Sequence, residues 1–168
     1  MSVALRYGLL AVVGALGACA EPVGPAEPLL PAGQWLRAEG AGESALVFVP
    51  EGGGGEIVAV CTMGVAPTFR IETTDAAFAA VAAGPRADIV IGGLSAFEAT
   101  LSRMTVEGGA ELVQASAPIT QGLIEALREG PDLRLNVGAG QVQTGAAPDA
   151  EMQAFAAACA SLAGLGGP

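Results

Sequence analysis

The stretch Ile57-Val58-Ala59-Val60-Cys61-Thr62-Met63 constrains the architecture more than any other part of the chain. Its short, continuous run of mostly β-branched and apolar residues predicts a buried strand. A similar run at 45–49 ends at Pro50, and the glycine-rich segment 51–56 separates the two runs. Two apolar runs joined by a glycine-containing turn favour a β-hairpin, so we expect the sheet to begin with an antiparallel pair.

The last element is predicted to be a helix that packs against this strand. Pro148 lies where the start of a helix tolerates proline, and Asp149 and Glu151 complement the positive end of the helix dipole. Apolar residues recur on one face at helical spacing: Met152, Phe155, Ala156, Cys159 and Leu162. Cys159 is therefore expected on the buried face, directed toward the sheet that carries Cys61.

A quasi-repeat occupies the middle of the chain. When residues 74–92 are aligned with the residues 46 positions later, five of the 19 positions are identical and many others keep their apolar character. Each copy predicts a short helix, 75–83 and 119–129, that ends at a Gly-Pro pair in which glycine is the expected left-handed cap. A strand follows in each copy, at 89–91 and at 133–137. We expect the two copies to fold alike, although a chain rich in alanine and glycine also produces such identities by chance.

Further strands are predicted at 97–102, 111–115 and 141–144, the last paired with the strand at 133–137. The sequence therefore predicts an α+β fold with an antiparallel sheet of about six to eight strands. Two short helices belong to the quasi-repeat, and the C-terminal helix packs on one face of the sheet.

The N-terminal residues have the parts of a secretory signal. Arg6 is the only charge, and the apolar run that follows is too short to span a bilayer, which takes roughly 20 residues. The motif Leu16-Gly17-Ala18-Cys19 that ends this run resembles the lipobox of bacterial lipoprotein precursors. The resemblance implies cleavage before Cys19, lipidation of its thiol and acylation of the new amino terminus.

The position after the lipobox bears on sorting. Ala20 stands there rather than aspartate, and in enteric-type sorting this implies export to the outer membrane. The alternative is an ordinary signal peptide cut after Ala18 or Ala20, with Cys19 left as a free thiol. An odd cysteine in an exported protein favours the lipidated form.

The chain is thus predicted to have three parts: a signal peptide at 1–18, a lipidated Cys19 with a proline-rich tether at 19–33, and a single α+β domain at 34–168. The tether repeats proline every three residues, which is the period of polyproline II, at Pro22, Pro25, Pro28 and Pro31. We expect an extended spacer of roughly 40 Å between membrane and domain.

Composition excludes several classes of function. Without Arg6 the mature chain has six arginines and 17 acidic residues, a net charge of −11. This charge opposes binding to nucleic acid and to anionic lipid, so the membrane is expected to be reached through the acyl chains. The chain has no histidine and no lysine, which removes the commonest general base and Schiff-base chemistry. No cofactor and no metal are expected.

Two cysteines remain when Cys19 is assigned to the anchor. Cys61 and Cys159 are expected to pair as a disulfide in an oxidising compartment. The alternatives are two buried thiols, or Cys159 as a nucleophile that has no histidine to activate it.

The remaining catalytic candidates lack part of their machinery. Ser95 lies in Gly93-Leu94-Ser95-Ala96-Phe97, which keeps part of the nucleophile-elbow pattern but has phenylalanine in place of the second glycine. Glu125 with Glu129, and Asp149 with Glu151, are carboxylate pairs that each lie on one helix. Glycoside hydrolysis needs two carboxyl groups from opposite sides of one cleft, so solvated helix faces are the expected role.

The sequence therefore predicts a non-enzymatic, lipid-anchored protein of the bacterial cell envelope, on the outer membrane and facing the periplasm. Its role would be structural, accessory or protein-binding. The alternative is a small periplasmic hydrolase that uses carboxylates. The expected partners are the membrane, through the anchor, and an envelope protein; the oligomeric state is left open.

Overall fold

The computed structural model describes residues 31–166. The predicted signal peptide, the lipobox with Cys19 and most of the tether lie outside the described residues. The elements, in chain order, are β1 (Gly33–Gly40), β2 (Glu43–Pro50), β3 (Ile57–Thr62), β4 (Thr68–Thr73), α1 (Ala76–Val81), β5 (Arg86–Ile91), β6 (Ser95–Thr105), β7 (Glu111–Pro118), α2 (Gln121–Glu129), β8 (Leu133–Val137), β9 (Gly140–Gln143) and α3 (Asp149–Leu162). The predicted α+β class is confirmed.

The nine strands form one antiparallel sheet in the order β1-β2-β3-β4-β7-β6-β5-β8-β9. The predicted β2–β3 hairpin is present, with Phe48 opposite Ile57, and β8 pairs with β9 as expected. The sheet curls, and its first strand approaches the segment that follows its last strand. The indole N–H of Trp35 in β1 donates a hydrogen bond of 3.1 Å to the carbonyl oxygen of Ala146.

The strand count exceeds the predicted six to eight because the sequence interpretation named seven strands and missed β1 and β4. Phe69, Ile71 and Thr73 are buried on one side of β4, whereas Arg70 and Glu72 lie on the other. This period-two alternation is the signal of a half-buried strand, but here it covers only six residues and directly precedes the first helix of the repeat.

The quasi-repeat is confirmed as two strand-helix-strand-strand units, β4-α1-β5-β6 and β7-α2-β8-β9. The strands β5 and β8 end at glycines with nearly the same left-handed φ, 59° at Gly92 and 56° at Gly138. In the β5–β8 pair Ile89 lies opposite Leu135, and in the β4–β7 pair Arg70 lies opposite Ser116. Both pairs join residues 46 positions apart, so a local two-fold relates the two units.

Capping side chains begin both helices of the repeat. A carboxylate oxygen of Asp75 accepts a hydrogen bond of 2.8 Å from the backbone N–H of Phe78. The hydroxyl oxygen of Thr120 accepts the corresponding bond, 3.2 Å long, from Leu123. Such caps each stabilise a helix by about 1 kcal/mol, so the two short helices start at defined residues.

The predicted end of α2 at residue 129 is confirmed, but α1 ends at Val81 rather than at residue 83, and neither helix has the expected left-handed glycine cap. Ala82, not glycine, caps α1, and Gly84, with a φ of 105°, lies two residues later. Gly130 does cap α2, but its φ of −91° is not left-handed. Its role is close packing, because a Cβ atom on Gly130 would lie 2.7 Å from the backbone nitrogen of Gly92.

The core lies between the inner face of the sheet and the helices, and α3 crosses β2 and β3. Met152, Phe155, Ala156 and Cys159 are buried on α3, as the periodicity predicts, whereas Leu162 is only partly buried. The ring of Phe155 lies 6.4 Å from that of Phe69, within the range of attractive aromatic pairs. α3 therefore packs on one face of the sheet as expected.

Candidate functional site

The disulfide predicted between Cys61 and Cys159 is present. Their Cα atoms are 5.4 Å apart, and both side chains are fully buried between β3 and α3. The bond joins residues that are 98 positions apart, and it fixes the C-terminal helix to the sheet. In this bonded form Cys159 has no thiol to act as a nucleophile.

The predicted anchor, Cys19, lies outside the described residues. Between residues 31 and 166, no helix is both long and apolar enough to cross a membrane.

Ser95 lies at the start of β6, beside the turn that follows β5. It lines a small depression of about 50 Å³ whose lining includes one carboxylate, that of Glu129. This volume holds little more than a water molecule. The structure brings Ser95 and Glu129 to the same depression, a proximity that the sequence did not predict.

The two predicted carboxylate pairs stay on separate helix surfaces. Glu125 is exposed on α2 and accepts a hydrogen bond of 3.0 Å from the side chain of Gln121. On α3 Asp149 is exposed, and Glu151 forms an ion pair with Arg37 at 3.4 Å. Among residues 31–166, no group of three or more Asp, Glu or Cys side chains is placed to hold a metal ion.

The outer face of the sheet, on the side away from α3, divides into a polar part and an apolar part. The polar part covers the middle of the sheet, where Arg70 pairs with Glu72 at 3.0 Å and Arg86 pairs with Glu98 at 2.9 Å. The apolar part covers β1 to β3. Its members, which we call the apolar patch, are Leu36, Ala38, Ala45, Val47, Val49 and Val58; Val60 lies on the same face but is buried.

Rows of the apolar patch run across three strands. Leu36 lies opposite Val47, which lies opposite Val58 on the next strand. Leu36 is 56% exposed, and both valines are half-buried. The patch contains no charged residue, although Glu43 at the start of β2 and the Arg70–Glu72 pair border it. The apolar surface therefore reaches the edge of the sheet without interruption.

That edge is β1. All eight of its residues pair with β2 in an unbroken register from Gly33 opposite Pro50 to Gly40 opposite Glu43. Within the described part of the chain, no strand pairs with its other side. Proteins usually protect such an edge with proline, lysine, inward-pointing charges, a bulge or a short strand. β1 has no proline, lysine or bulge, and its two charges, Arg37 and Glu39, lie on its inner face and contact each other at 3.3 Å.

The opposite edge of the sheet is protected. β9 has only four residues, and the Val81 side chain of α1 packs beside its Gly140. The eight-residue edge of β1 and the apolar patch next to it thus form the candidate functional site. An unpaired strand beside apolar side chains can add a strand from another chain through backbone hydrogen bonds.

Comparisons of the chain with protein-family models, with curated proteins and with solved structures find no match.

Proposed function

We propose that the chain is a lipid-anchored protein of the bacterial cell envelope, and that its folded part acts by binding protein rather than by catalysis. The observation that carries the binding role is the unpaired edge of β1 beside the apolar patch. Contiguous exposed apolar surface beside an open strand is typical of protein interaction sites.

Support for the anchor comes from the lipobox-like motif that ends at Cys19. The proline-rich tether leads from that residue to Gly33, the first residue of β1. At about 3.1 Å per residue the tether would hold the domain roughly 40 Å from the membrane. The edge of β1 would then lie directly after the end of the tether, because β1 begins at Gly33.

The buried Cys61–Cys159 disulfide supports an extracytoplasmic location, because structural disulfides persist in oxidising compartments. The absence of histidine and lysine from the sequence supports a non-catalytic role, because most acid–base and Schiff-base mechanisms need one of them.

Processing of the full chain in a bacterial host tests the anchor. We expect globomycin, which blocks the lipoprotein signal peptidase, to cause a larger precursor to accumulate. Fatty-acid labelling should be present in the wild type and lost in Cys19→Ser. Equal processing with and without globomycin, together with no label in the wild type, would refute the lipid anchor.

Substitution of Ala20, the residue after Cys19, tests sorting of the lipoprotein between the inner and outer membranes. In an enteric host we expect the wild type in outer-membrane fractions and Ala20→Asp in inner-membrane fractions. Ala20→Ser is the matched control and should sort like the wild type. An outer-membrane location that persists in Ala20→Asp would contradict the proposed sorting.

A further inference from the structure

We propose that two copies of this chain associate through β1, edge to edge and antiparallel, so that their sheets become one continuous sheet. This inference rests on the protein-binding role proposed above and names the partner as a second copy.

Backbone geometry supports strand addition at this edge. β1 keeps an unbroken register with β2 over its whole length of eight residues, so its free side presents backbone N–H and C=O groups along a regular strand. An added strand needs that regularity, because a bulge or a proline would interrupt the new hydrogen bonds.

Among the surfaces of the chain, β1 is one where charge opposes a second copy least. Each chain carries a formal net charge of −10, so two copies repel each other over most of their surface. The apolar patch carries no charge, and the two charges of β1 oppose each other: Arg37 contacts Glu39 at 3.3 Å and Glu151 of α3 at 3.4 Å. Like-charged copies can therefore approach at β1 without placing carboxylates against each other.

The side chains of β1 select one register. When a two-fold axis relates two antiparallel β1 strands, one residue of β1 lies on that axis, opposite the same residue of the second copy. With Leu36 at that centre, residues 33–39 of both strands pair, and Arg37 lies opposite Trp35 of the second copy. A centre at Arg37 would place two guanidinium groups opposite each other, which destabilises a strand pair. A centre at Ala38 would pair only residues 36–40.

The Leu36 register also matches the surface chemistry on both faces. On the outer face, the two leucines cover each other and the apolar patches become continuous across the two-fold. On the inner face, the guanidinium of Arg37 can lie over the indole of Trp35 from the second copy, an attractive cation–π arrangement.

The tethers are compatible with this dimer on one membrane. In the Leu36 register the two Gly33 residues lie six residues apart along the ladder, which is about 20 Å. Two tethers of roughly 40 Å can reach one bilayer from points at that separation. Anchoring would also confine both copies to a surface, which raises their effective concentration.

Cysteine cross-linking of the full chain tests the contact and the register together. Leu36→Cys is compared with Leu94→Cys, a matched control because Leu94 is 96% exposed and lies in the β5–β6 turn. Both variants are expressed in bacteria, oxidised in their membranes and analysed by non-reducing electrophoresis. We expect at least about tenfold more disulfide-linked dimer from Leu36→Cys, because the two-fold brings its thiols opposite each other.

Sedimentation of the detergent-solubilised full chain measures the affinity. Leu36→Lys should weaken dimerisation at least about tenfold, the equivalent of about 1.4 kcal/mol, whereas Leu94→Lys should leave the affinity unchanged. Thermal unfolding of both variants should match the wild type, because both positions are exposed.

Two results would overturn the dimer: a wild-type chain that stays monomeric at about 100 µM, or equal cross-linking of the two cysteine variants. The lipid anchor is tested independently of the dimer. A dimer without lipid would refute the anchor alone, and a lipidated monomer would refute this inference alone.

Discussion

Reduction of the Cys61–Cys159 disulfide is expected to lower the free energy of unfolding by about 4.7 kcal/mol. The bond joins residues 98 positions apart, and the chain-entropy treatment of a closed loop gives this value at 25 °C. Domains of this size are stabilised by about 5–15 kcal/mol in total. The reduced chain should therefore remain folded with only a small margin, or unfold at moderate temperature.

The loss should arise mainly in the unfolded chain. Both cysteines are fully buried, and reduction leaves two small apolar thiols whose sulfurs must move apart to van der Waals contact. Phe155 and Met152 would still pack α3 against the sheet, since both are almost completely buried. The native packing therefore survives reduction, while the unfolded chain gains the freedom that the bond removed.

Urea unfolding followed by the fluorescence of Trp35, the single tryptophan, measures the effect. Trp35 is a suitable reporter because its ring lies 5.2 Å from that of Phe48, and the two rings separate when the chain unfolds. With a urea dependence of about 2 kcal/mol/M, the midpoint should fall by about 2 M on reduction. A fall of less than about 0.5 M, in protein whose two thiols are shown by alkylation to be free, would refute the reasoning.

Three further comparisons, made with five substitutions and measured by urea unfolding, test the core and the repeat. Phe155→Ala should lower the free energy of unfolding by about 3–5 kcal/mol because its ring is fully buried, whereas Leu94→Ala should change it by less than about 0.5 kcal/mol; equal effects would contradict the assigned core. Thr120→Ala should cost about 1 kcal/mol because the first turn of α2 loses its cap, and an unchanged stability would contradict the capping bond. Gly138→Ala should lower the free energy of unfolding by about 1–2 kcal/mol because alanine disfavours the left-handed φ of 56° at this position. Gly92→Ala should lower it further, because the new Cβ would also lie 2.7 Å from a backbone atom. A larger loss for Gly138→Ala than for Gly92→Ala would contradict the packing at Gly92.

Local patterns predicted the parts of the fold that local physics determines. The β2–β3 hairpin follows from two apolar runs around a glycine-rich turn, and the buried face of α3 follows from helical periodicity. The pairing of Cys61 with Cys159 needed only their number and a predicted export signal. The repeat offset of 46 residues predicted that α1 and α2 are equivalent. The β4–β7 and β5–β8 strand pairs also each join two residues that are 46 positions apart.

The order of the strands was not predictable in this way. β7 lies between β4 and β6 in the sheet, so residues far apart in sequence pair, and no local pattern determines that choice. The candidate site depends on it. The alternation within β1 does not show that this strand is an edge, nor that the helices leave the outer side of Leu36 uncovered. Cys19 stays a prediction, since it lies outside the described residues.

The candidate site can be traced to a break in the symmetry of the repeat. β6 lies between β5 and β7, so the local two-fold would place β9 between β8 and β4. That would close six strands into a ring. Instead β3 pairs along β4, with Val60 opposite Arg70, and β9 has four residues where β6 has 11.

β3 pairs with β4 at the place where the two-fold symmetry would put β9. The strands that precede the repeat, β1 to β3, therefore extend the sheet, and β1 becomes an edge strand. These same added strands carry Cys61 and the apolar patch. The repeat thus explains the core and the two short helices, and the disulfide ties the added strands to α3. The features that suggest binding lie on the strands that precede the repeat, β1 to β3, next to the residues that follow the predicted tether.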